Sequence, residues 1–259
     1  MADVPDPQAR NAEVQADVQA SLQASLQAEL AAVRAEMQHF SYAVSHDLRA
    51  PLRHILSYAQ LVQEDAGPLL SAEVQEFLTT ITDSARHMGM LLDGLAAVAR
   101  MGTVPVDITA VSLQELVQAV CQELDAQHPQ RAITWRIADD FPTVQADAAL
   151  LHQALAQVLG NAVKFSASRE SAVIGISTVP AQSDAFVCLQ VNDNGVGYNP
   201  ALQDQLFKVF GRLHGSQQFE GIGMGLVLTR KMLERFGAMA SIHGVLDGGC
   251  KVQLMLPRA

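Results

Sequence analysis

The sequence has little positive charge and few aromatic residues. Its 259 residues include 17 Lys and Arg against 27 Asp and Glu, which gives a formal net charge of -10. A protein that binds the phosphate backbone of nucleic acid needs the opposite balance, so we predict no nucleic-acid partner. Aromatic residues make up only 5% of a chain that is 49% hydrophobic, which favours packed helices. The length allows two modest domains.

Cysteine is scarce, and long apolar runs are absent. The three cysteines, Cys121, Cys188 and Cys250, lie far apart in apolar segments, which is typical of buried free thiols in a reducing compartment. The sequence contains no run of about 18 apolar residues, and its acidic start does not resemble a signal peptide. We therefore predict a cytoplasmic protein with no membrane span.

Glycine and proline are missing from Asn11 to Ala50, where apolar residues recur at steps of three and four. This spacing predicts one long helix, preceded by a flexible tail at residues 1–10. The apolar seam over residues 11–36 resembles that of a coiled coil, so we expect a coiled-coil signalling helix there. A helix that packs within its own chain would show the same spacing.

A second helix is predicted after the turn at Glu64–Pro68, with Ser71 as its N-cap and an apolar stripe from Val74 to Val98. Two helices joined by a short turn form an antiparallel hairpin, and two stripes cannot enclose a core of their own. Pairing two hairpins would complete a four-helix bundle. We therefore predict a homodimer built on residues 37–100.

Residues 101–110 contain Gly102 and Pro105 and show no helical period, so we predict a linker and hinge between two domains. In residues 111–259, predicted helices and strands mix without a βαβ rhythm, a P-loop or a dinucleotide-binding fingerprint. The expected fold of this second domain is a mixed sheet covered by helices on one face, an α/β sandwich.

The elements of the second domain follow from capping residues and hydrophobic patterns. Ser112 and Asp147 are predicted N-caps of helices that end near Gln127 and Phe165. Another helix is expected over about residues 223–236. Strands are expected at about 132–137, 172–178, 185–192, 238–244 and 250–256.

His46 lies within the first predicted helix, in the octet Ser45–Leu52. The apolar stripe of this helix includes Val44 and Leu48, so the imidazole points to the opposite face. Asp47 follows directly, and a neighbouring carboxylate can orient one ring nitrogen while the other acts as a nucleophile. A surface histidine on an amphipathic helix would fit the same pattern.

Two segments of the second domain combine residue types that suit a nucleotide. Asn161 and Lys164 lie three apart on one predicted helix face, where an amide oxygen suits Mg²⁺ and a lysine suits phosphate. Asp193 ends an apolar strand just before Gly195 and Gly197. Its carboxylate can accept a hydrogen bond from an adenine amino group, and the glycines let the backbone approach the ring. Taken alone, asparagine and lysine near a helix end are more often surface residues, and a D-N-G turn is common.

Two further segments follow. Leu206–His214 carries two phenylalanines three apart, a spacing that also suits a hydrophobic core. Gly221, Gly223 and Gly225 open a predicted helix whose N-terminal amides can bind phosphate. Taken alone, a G-x-G-x-G pattern is weak evidence.

In this order the four segments resemble the N, G1, F and G2 boxes of the ATP-binding domain of sensor histidine kinases, which has the Bergerat or GHKL fold. The octet around His46 resembles the H-box of the same family. The resemblance spans about residues 36–258, and the stretch between Phe210 and Gly221 is most similar to phytochrome-type histidine kinases.

The resemblance implies an ATP-dependent protein histidine kinase of a two-component system. His46 would accept phosphate from Mg·ATP and pass it to an aspartate of a response regulator receiver domain, with Asp47 as base or orienting group. Asn161 would bind Mg²⁺, Lys164 would contact phosphate and Asp193 would recognise adenine. The pocket and its lid would be shaped by Gly195, Gly197, Gly221, Gly223 and Gly225. The implied fold is a dimeric four-helix bundle followed by a Bergerat α/β sandwich, with an upstream sensor domain or protein acting through the N-terminal helix.

Two alternatives stay open. A GHKL-type ATPase would use a glutamate four residues before the metal-binding asparagine to activate water, whereas this chain has Gln157, which cannot act as a base. Many histidine kinases have asparagine at that position. The second alternative is a catalytically silent dimeric scaffold that signals by docking.

Overall fold

The computed structural model describes residues 7–101, 105–181, 183–208, 210–213, 218–219 and 221–259. An antiparallel hairpin comes first, formed by α1 (Pro7–Ala66) and α2 (Ala72–Met101) with a 3-10 turn at Gly67–Leu69. Ser71 caps α2 as predicted, since its Oγ accepts a hydrogen bond from the Val74 amide at 3.3 Å. No helix in the described part of the chain combines the length and hydrophobicity needed to cross a membrane.

The flexible tail predicted at residues 1–10 is too long. Helix α1 already begins at Pro7, because proline lacks only a hydrogen-bond donor that the first turn of a helix does not use. The rest of that tail, residues 1–6, lies outside the described residues.

The hairpin has a small core of its own. Leu52, Ala85 and Leu92 are buried together, with Leu56 packed against them. Much of the predicted apolar stripe remains exposed in the single chain. These exposed side chains include Leu22, Leu26, Leu30, Val33, Met37, Phe40, Leu48, Ile55 and Val62 on α1 and Val74, Phe77, Ile81 and Met88 on α2.

The second domain is built on a five-stranded sheet whose strands are β2 (Ile133–Ile137), β4 (Ala172–Val179), β5 (Phe186–Asp193), β6 (Met239–Val245) and β7 (Gly249–Pro257). Their order in the sheet is β2-β4-β5-β7-β6. Strands β2 and β4 are parallel and the other neighbours antiparallel, so the sheet is mixed as predicted. Burial alternates along β4 and β7, which shows that one sheet face packs against the core.

Within the described residues of this domain, three helices pack on the sheet: α3 (Leu113–Gln127), α4 (Ala148–Phe165) and α5 (Gly225–Glu234), with a 3-10 segment at Pro200–Gln205. Their buried faces and the sheet share one hydrophobic core. The two predicted N-caps are confirmed. Ser112 Oγ accepts from the Glu115 amide at 3.3 Å, and Asp147 Oδ1 accepts from the Leu150 amide at 3.0 Å. The prediction of a helical hairpin followed by a mixed α/β sandwich is therefore confirmed.

The linker and the last helix differ from their predicted bounds. The predicted linker 101–110 is too long at both ends, because Met101 belongs to α2 and Thr109 opens β1 (Thr109–Ser112), which pairs antiparallel with β3 (Thr143–Ala146). Such short strands are stabilised by a partner distant in sequence, so they leave little local pattern. The predicted hinge residue Gly102 lies outside the described residues. Helix α5 begins at Gly225 rather than near residue 223, because Gly223 has a positive φ of 73°.

Candidate functional site

His46 is presented to solvent by α1. The preceding Ser45 is buried and its Oγ donates to the Ser41 carbonyl at 2.7 Å, so the next side chain faces outward. The His46 side chain is 68% exposed, and its Nδ1 lies 3.2 Å from Asp47 Oδ1. An ionised carboxylate only accepts hydrogen bonds, so this contact favours the tautomer with a proton on Nδ1. The lone pair is then on Nε2, on the far side of the ring.

Two neighbours of His46 were not predicted. The Tyr42 ring stacks with the imidazole one turn earlier, with ring centroids 6.5 Å apart. Arg49, one turn later, donates from Nη2 to Asp93 Oδ1 on α2 at 2.9 Å. Both partners of this pair are solvent-accessible, so it contributes at most about 1 kcal/mol to hairpin stability. It holds the Arg49 guanidinium against α2.

A cavity of about 350 Å³ opens between α4, β5, β7 and the glycine-rich segment before α5. The predicted nucleotide-binding residues come together there, with one exception. The cavity is lined by Asn161, Lys164, Asp193, Gly197, Gly221, Gly223 and Gly225, together with apolar side chains such as Val191, Met224 and Ile242. Gly195 instead packs behind the wall, where an added Cβ would lie 2.6 Å from the Phe165 carbonyl oxygen. His46 and Asp47 do not line the cavity.

Asp193 is the last residue of β5 and contributes a half-buried carboxylate to the cavity. Its Oδ1 accepts hydrogen bonds from the Gly195 amide at 2.8 Å and the Cys250 amide at 3.1 Å. Burial raises the pKa of Asp193, and these two amides partly oppose the rise. Because both bonds use Oδ1, Oδ2 is the atom that can accept a hydrogen bond from a ligand.

Two glycines allow close approach around the cavity. Gly197 has a φ of 60°, and a Cβ there would collide with the Val245 carbonyl oxygen. Gly225, at the start of α5, faces α4, where a Cβ would lie 2.8 Å from Gln157 Oε1. The N-terminal amides of α5 are thereby brought beside Gln157 and Asn161. This end of the cavity suits an anion, since helix N-termini carry a partial positive charge.

Positive charge gathers at the same end of the cavity. Lys164 lies with Nζ 4.3 Å from the centroid of the Phe165 ring, and Arg212 also lines the cavity. Burial lowers the pKa of Lys164, and the nearby Arg212 lowers it further. Two cations that destabilise each other favour a bound anion, which would relieve both effects. Arg212 lies in a segment that was singled out for its phenylalanines, and no role was predicted for it.

The residues present fit a magnesium ion held mostly by its substrate. The half-buried Asn161 offers one amide oxygen, and Mg²⁺ usually takes only one or two protein ligands besides phosphate oxygens and water. No group of three or more His, Cys, Asp or Glu side chains that could cage a metal is found within the described ranges.

Two protein-family profiles match the chain. Residues 36–103 match the His Kinase A (phospho-acceptor) domain, and residues 146–259 match the histidine kinase-, DNA gyrase B- and HSP90-like ATPase domain. The first match contains His46, and the second contains the cavity with Asn161, Lys164 and Asp193.

Curated relatives and solved structures agree with these profiles. The chain is 30% identical over 225 residues to cyanobacterial phytochrome A of Nostoc sp., covering 86% of this chain and 29% of that protein. It is also 30% identical over 227 residues to the methanogenesis regulatory histidine kinase FilI of Methanothrix harundinacea, covering 87% and 25%. The chain thus spans between a quarter and a third of the length of these relatives.

Two solved structures share the fold. Full-length ShkA in complex with AMPPNP gives a TM-score of 0.58 at 24% identity, covering 85% of this chain and 46% of that one. The histidine kinase AdeS of Acinetobacter baumannii gives a TM-score of 0.56 at 17% identity, covering 82% and 98%.

Proposed function

This chain belongs to the histidine kinase family, and from that premise we propose that it transfers the γ-phosphoryl group of ATP to His46 and then to an aspartate of a response regulator receiver domain. The observation that carries the proposal is the pairing of two sites within one chain. An exposed imidazole is oriented by Asp47 on the hairpin, and a cavity with a half-buried carboxylate and a cationic end lies in the second domain.

The cavity residues have complementary roles in this proposal. Asp193 Oδ2 accepts a hydrogen bond from the adenine amino group, and the apolar wall contacts the base. Lys164, Arg212 and the amides at the start of α5 neutralise the phosphates. Asn161 would hold Mg²⁺, which supplies charge neutralisation on the phosphate oxygens when bound. Gly197, Gly221, Gly223 and Gly225 allow backbone and helix ends to approach the nucleotide.

The transfer itself needs a nucleophile with a free lone pair. Nε2 of His46 attacks the γ-phosphorus, a nitrogen–phosphorus bond forms, and the bond to the bridging oxygen of ADP breaks. The ring gains positive charge, which Asp47 stabilises through the proton on Nδ1. The remaining contribution is positioning and electrostatic stabilisation.

His46 and the cavity lie on different domains, so transfer needs one domain to move relative to the other. We propose residues 37–100 as a dimerising phosphotransfer domain, residues 111–259 as the catalytic domain, and the segment between them as the hinge. Homodimers would form through the exposed apolar stripe of the hairpin, and residues 11–36 would relay a signal from an upstream sensor. Cys121, Cys188 and Cys250 are all free thiols, which supports a reducing, cytoplasmic location.

Gln157 bears on the ATPase alternative. It lines the cavity in the place where such an enzyme needs a base to activate water. An amide cannot take up that proton, so hydrolysis by this route is disfavoured.

The test is incubation of the full chain with γ-labelled ATP and Mg²⁺, followed by acid and base treatment. We expect a protein label that is stable in base and lost in acid, as phosphohistidine is. His46→Gln should abolish the label and leave ATP binding intact. His54→Gln is the matched control, because His54 is also an exposed histidine on α1. An acid-labile label on the His46→Gln protein would refute the assignment.

A mixing experiment separates the two sites. Asn161→Asp should lose nucleotide binding while His46 remains able to accept phosphate. Mixed with His46→Gln chains, which bind ATP but lack the acceptor, the Asn161→Asp chain should be labelled if transfer occurs between subunits. A silent scaffold would show no label in any of these reactions.

A further inference from the structure

The wall of the cavity around Asp193 consists of two backbone segments packed against each other. The loop Asp193–Gly197 follows β5, and the turn Val245–Cys250 connects β6 and β7. The Asp247 amide donates to the Val196 carbonyl at 2.7 Å, and the Cys250 amide donates to Asp193 Oδ1 at 3.1 Å. The position of the Asp193 carboxylate therefore depends on how firmly the loop and the turn are held together.

Arg169 contacts both segments from outside the cavity. Its Nε donates to the Asn194 carbonyl at 2.9 Å, and its Nη2 donates to the carbonyls of Gly195 at 3.2 Å and Asp247 at 2.9 Å. The Arg169 backbone is itself anchored, since its amide donates to the carbonyl of Ser166, the C-cap of α4, at 2.9 Å. One guanidinium thus joins the end of α4, the loop after β5 and the β6–β7 turn.

We propose that Arg169 is a positioning residue that sets the preference of this site for adenine over guanine nucleotides. It does so by holding together the loop and the turn that carry the two amide partners of Asp193, those of Gly195 and Cys250. The inference rests on the proposed function, in which Asp193 recognises the adenine amino group. Guanine presents a carbonyl oxygen where adenine has its amino group, and a carboxylate rejects it only if the carboxylate cannot move away. Sites that hold a polar group in a fixed place discriminate strongly for this reason.

A guanidinium suits this position better than other side chains. Its planar fork presents several donors in fixed directions, so it can bind carbonyls of two segments at once. Hydrogen bonds from a charged donor are stronger than those between neutral groups. A lysine would supply the same charge but a smaller and more mobile donor group.

The test measures dissociation constants of Mg·ATP and Mg·GTP for the full chain by competition with a fluorescent ATP analogue. We expect Arg169→Gln to weaken ATP binding about tenfold, the effect of losing one or two charge-assisted bonds. GTP binding should change little. The selectivity ratio, defined as the GTP dissociation constant divided by the ATP dissociation constant, should therefore fall by a similar factor. Arg169→Lys should recover part of the ratio.

Arg258→Gln is the matched control. The Nε of Arg258 donates to the Asp184 carbonyl at 3.0 Å, near the start of β5 and away from Asp193. This variant should keep the wild-type ratio. If Arg169→Gln lowers the melting temperature but weakens ATP and GTP equally, or matches Arg258→Gln in its ratio, the proposal is overturned. If Arg169→Gln does not fold, the ratio for Arg169→Lys decides by the same criterion.

The two proposals fail in different ways. A wild-type chain that binds ATP no better than GTP overturns the proposed role of Asp193, and this inference with it. A wild-type chain that prefers ATP, with a ratio unchanged by substitution at Arg169, overturns only the inference.

Discussion

At the scale of single residues, Asp193 combines a functional position with an unfavourable environment. Burial raises its pKa, and the amides of Gly195 and Cys250 compensate only in part. The folded domain therefore disfavours the ionised form of Asp193 relative to the unfolded chain. Functional sites often retain such groups at the expense of stability.

Asp193→Asn should stabilise the free protein and remove its response to ATP. Asparagine keeps an oxygen that can accept from Gly195 and Cys250, but it removes the half-buried charge and points a donor at the adenine amino group. We expect the melting temperature without nucleotide to rise by roughly 2–4 °C, the effect of about 1 kcal/mol in a chain of this size. The rise in melting temperature that ATP causes in the wild-type chain should disappear. Differential scanning fluorimetry measures both.

The pH dependence of this gain has a definite sign. The folded-state pKa of Asp193 is raised above the ordinary value of 3.8, so the proton bound to Asp193 stabilises the folded chain at low pH. That contribution is lost as pH rises through the folded-state pKa. The advantage of Asp193→Asn should be small below about pH 4 and should grow above it. Asp204→Asn, at an exposed site, is the control. An advantage that shrinks as pH rises would contradict the account.

Interactions between residues close in sequence could be predicted, whereas interactions between residues distant in sequence could not. The N-caps Ser112 and Asp147 were predicted because each bonds an amide three residues ahead. Asn161, Lys164 and Asp193 were predicted to share a site from the order of their motifs. Arg169 carried no such signal, because its three acceptors are carbonyls 25, 26 and 78 residues away.

At the scale of elements, α2 touches the glycine-rich segment that borders the cavity. Gly94 is buried in α2, and a Cβ there would lie 2.8 Å from Ile222 Cδ1 and 3.0 Å from Met224 Cγ. Both of these side chains also line the cavity. In addition, Arg235, which follows α5, donates to the carbonyl of Met101 at the end of α2. The packing of the hairpin on the second domain is thus coupled to the shape of the cavity.

Gly94→Ala should therefore weaken ATP binding, although Gly94 does not line the cavity. The added methyl group must displace Ile222 and Met224, and overpacking of this kind costs about 1–3 kcal/mol. Gly89→Ala is the matched control on the same helix, since its Cβ would meet only Leu52 Cδ2, at 3.3 Å, within the hairpin. Both variants gain up to about 1 kcal/mol of helix propensity. Equal ATP dissociation constants for the two variants, by fluorescence titration, would argue against the coupling.

Long elements with a clear hydrophobic periodicity could be predicted from the sequence, and short elements could not. The long helices α1 and α2 and the central strands β4 and β5 follow from periodicity. Strands β1 and β3 have four residues each and are stabilised by pairing with each other, so Thr109 and Ala110 were assigned to the linker. Helix α5 was placed two residues early because the glycine-rich pattern does not reveal the positive φ of Gly223.

At the scale of the whole molecule, the hairpin leaves its apolar stripe open to solvent. Ile55 is 46% exposed and Ile81 47% exposed in the single chain, whereas Leu92 on the same hairpin is 7% exposed. Exposed apolar stripes along two adjacent helices mark an interaction surface. A second copy of the hairpin supplies a matching stripe by symmetry and would bury it in a four-helix bundle.

Ile81→Glu should convert the full chain from dimer to monomer with its helices intact. In a symmetric dimer the substitution places two unpaired charges in the interface, and burying each costs several kcal/mol. Thr80→Glu adds the same charge at the neighbouring exposed position, off the stripe, and should remain dimeric. Leu92→Glu should instead unfold the hairpin, because Leu92 is buried in the core of the single chain. Sedimentation equilibrium gives the mass and circular dichroism gives the helix content. A wild-type chain that sediments as a monomer, or an Ile81→Glu chain that stays dimeric, would contradict this interface.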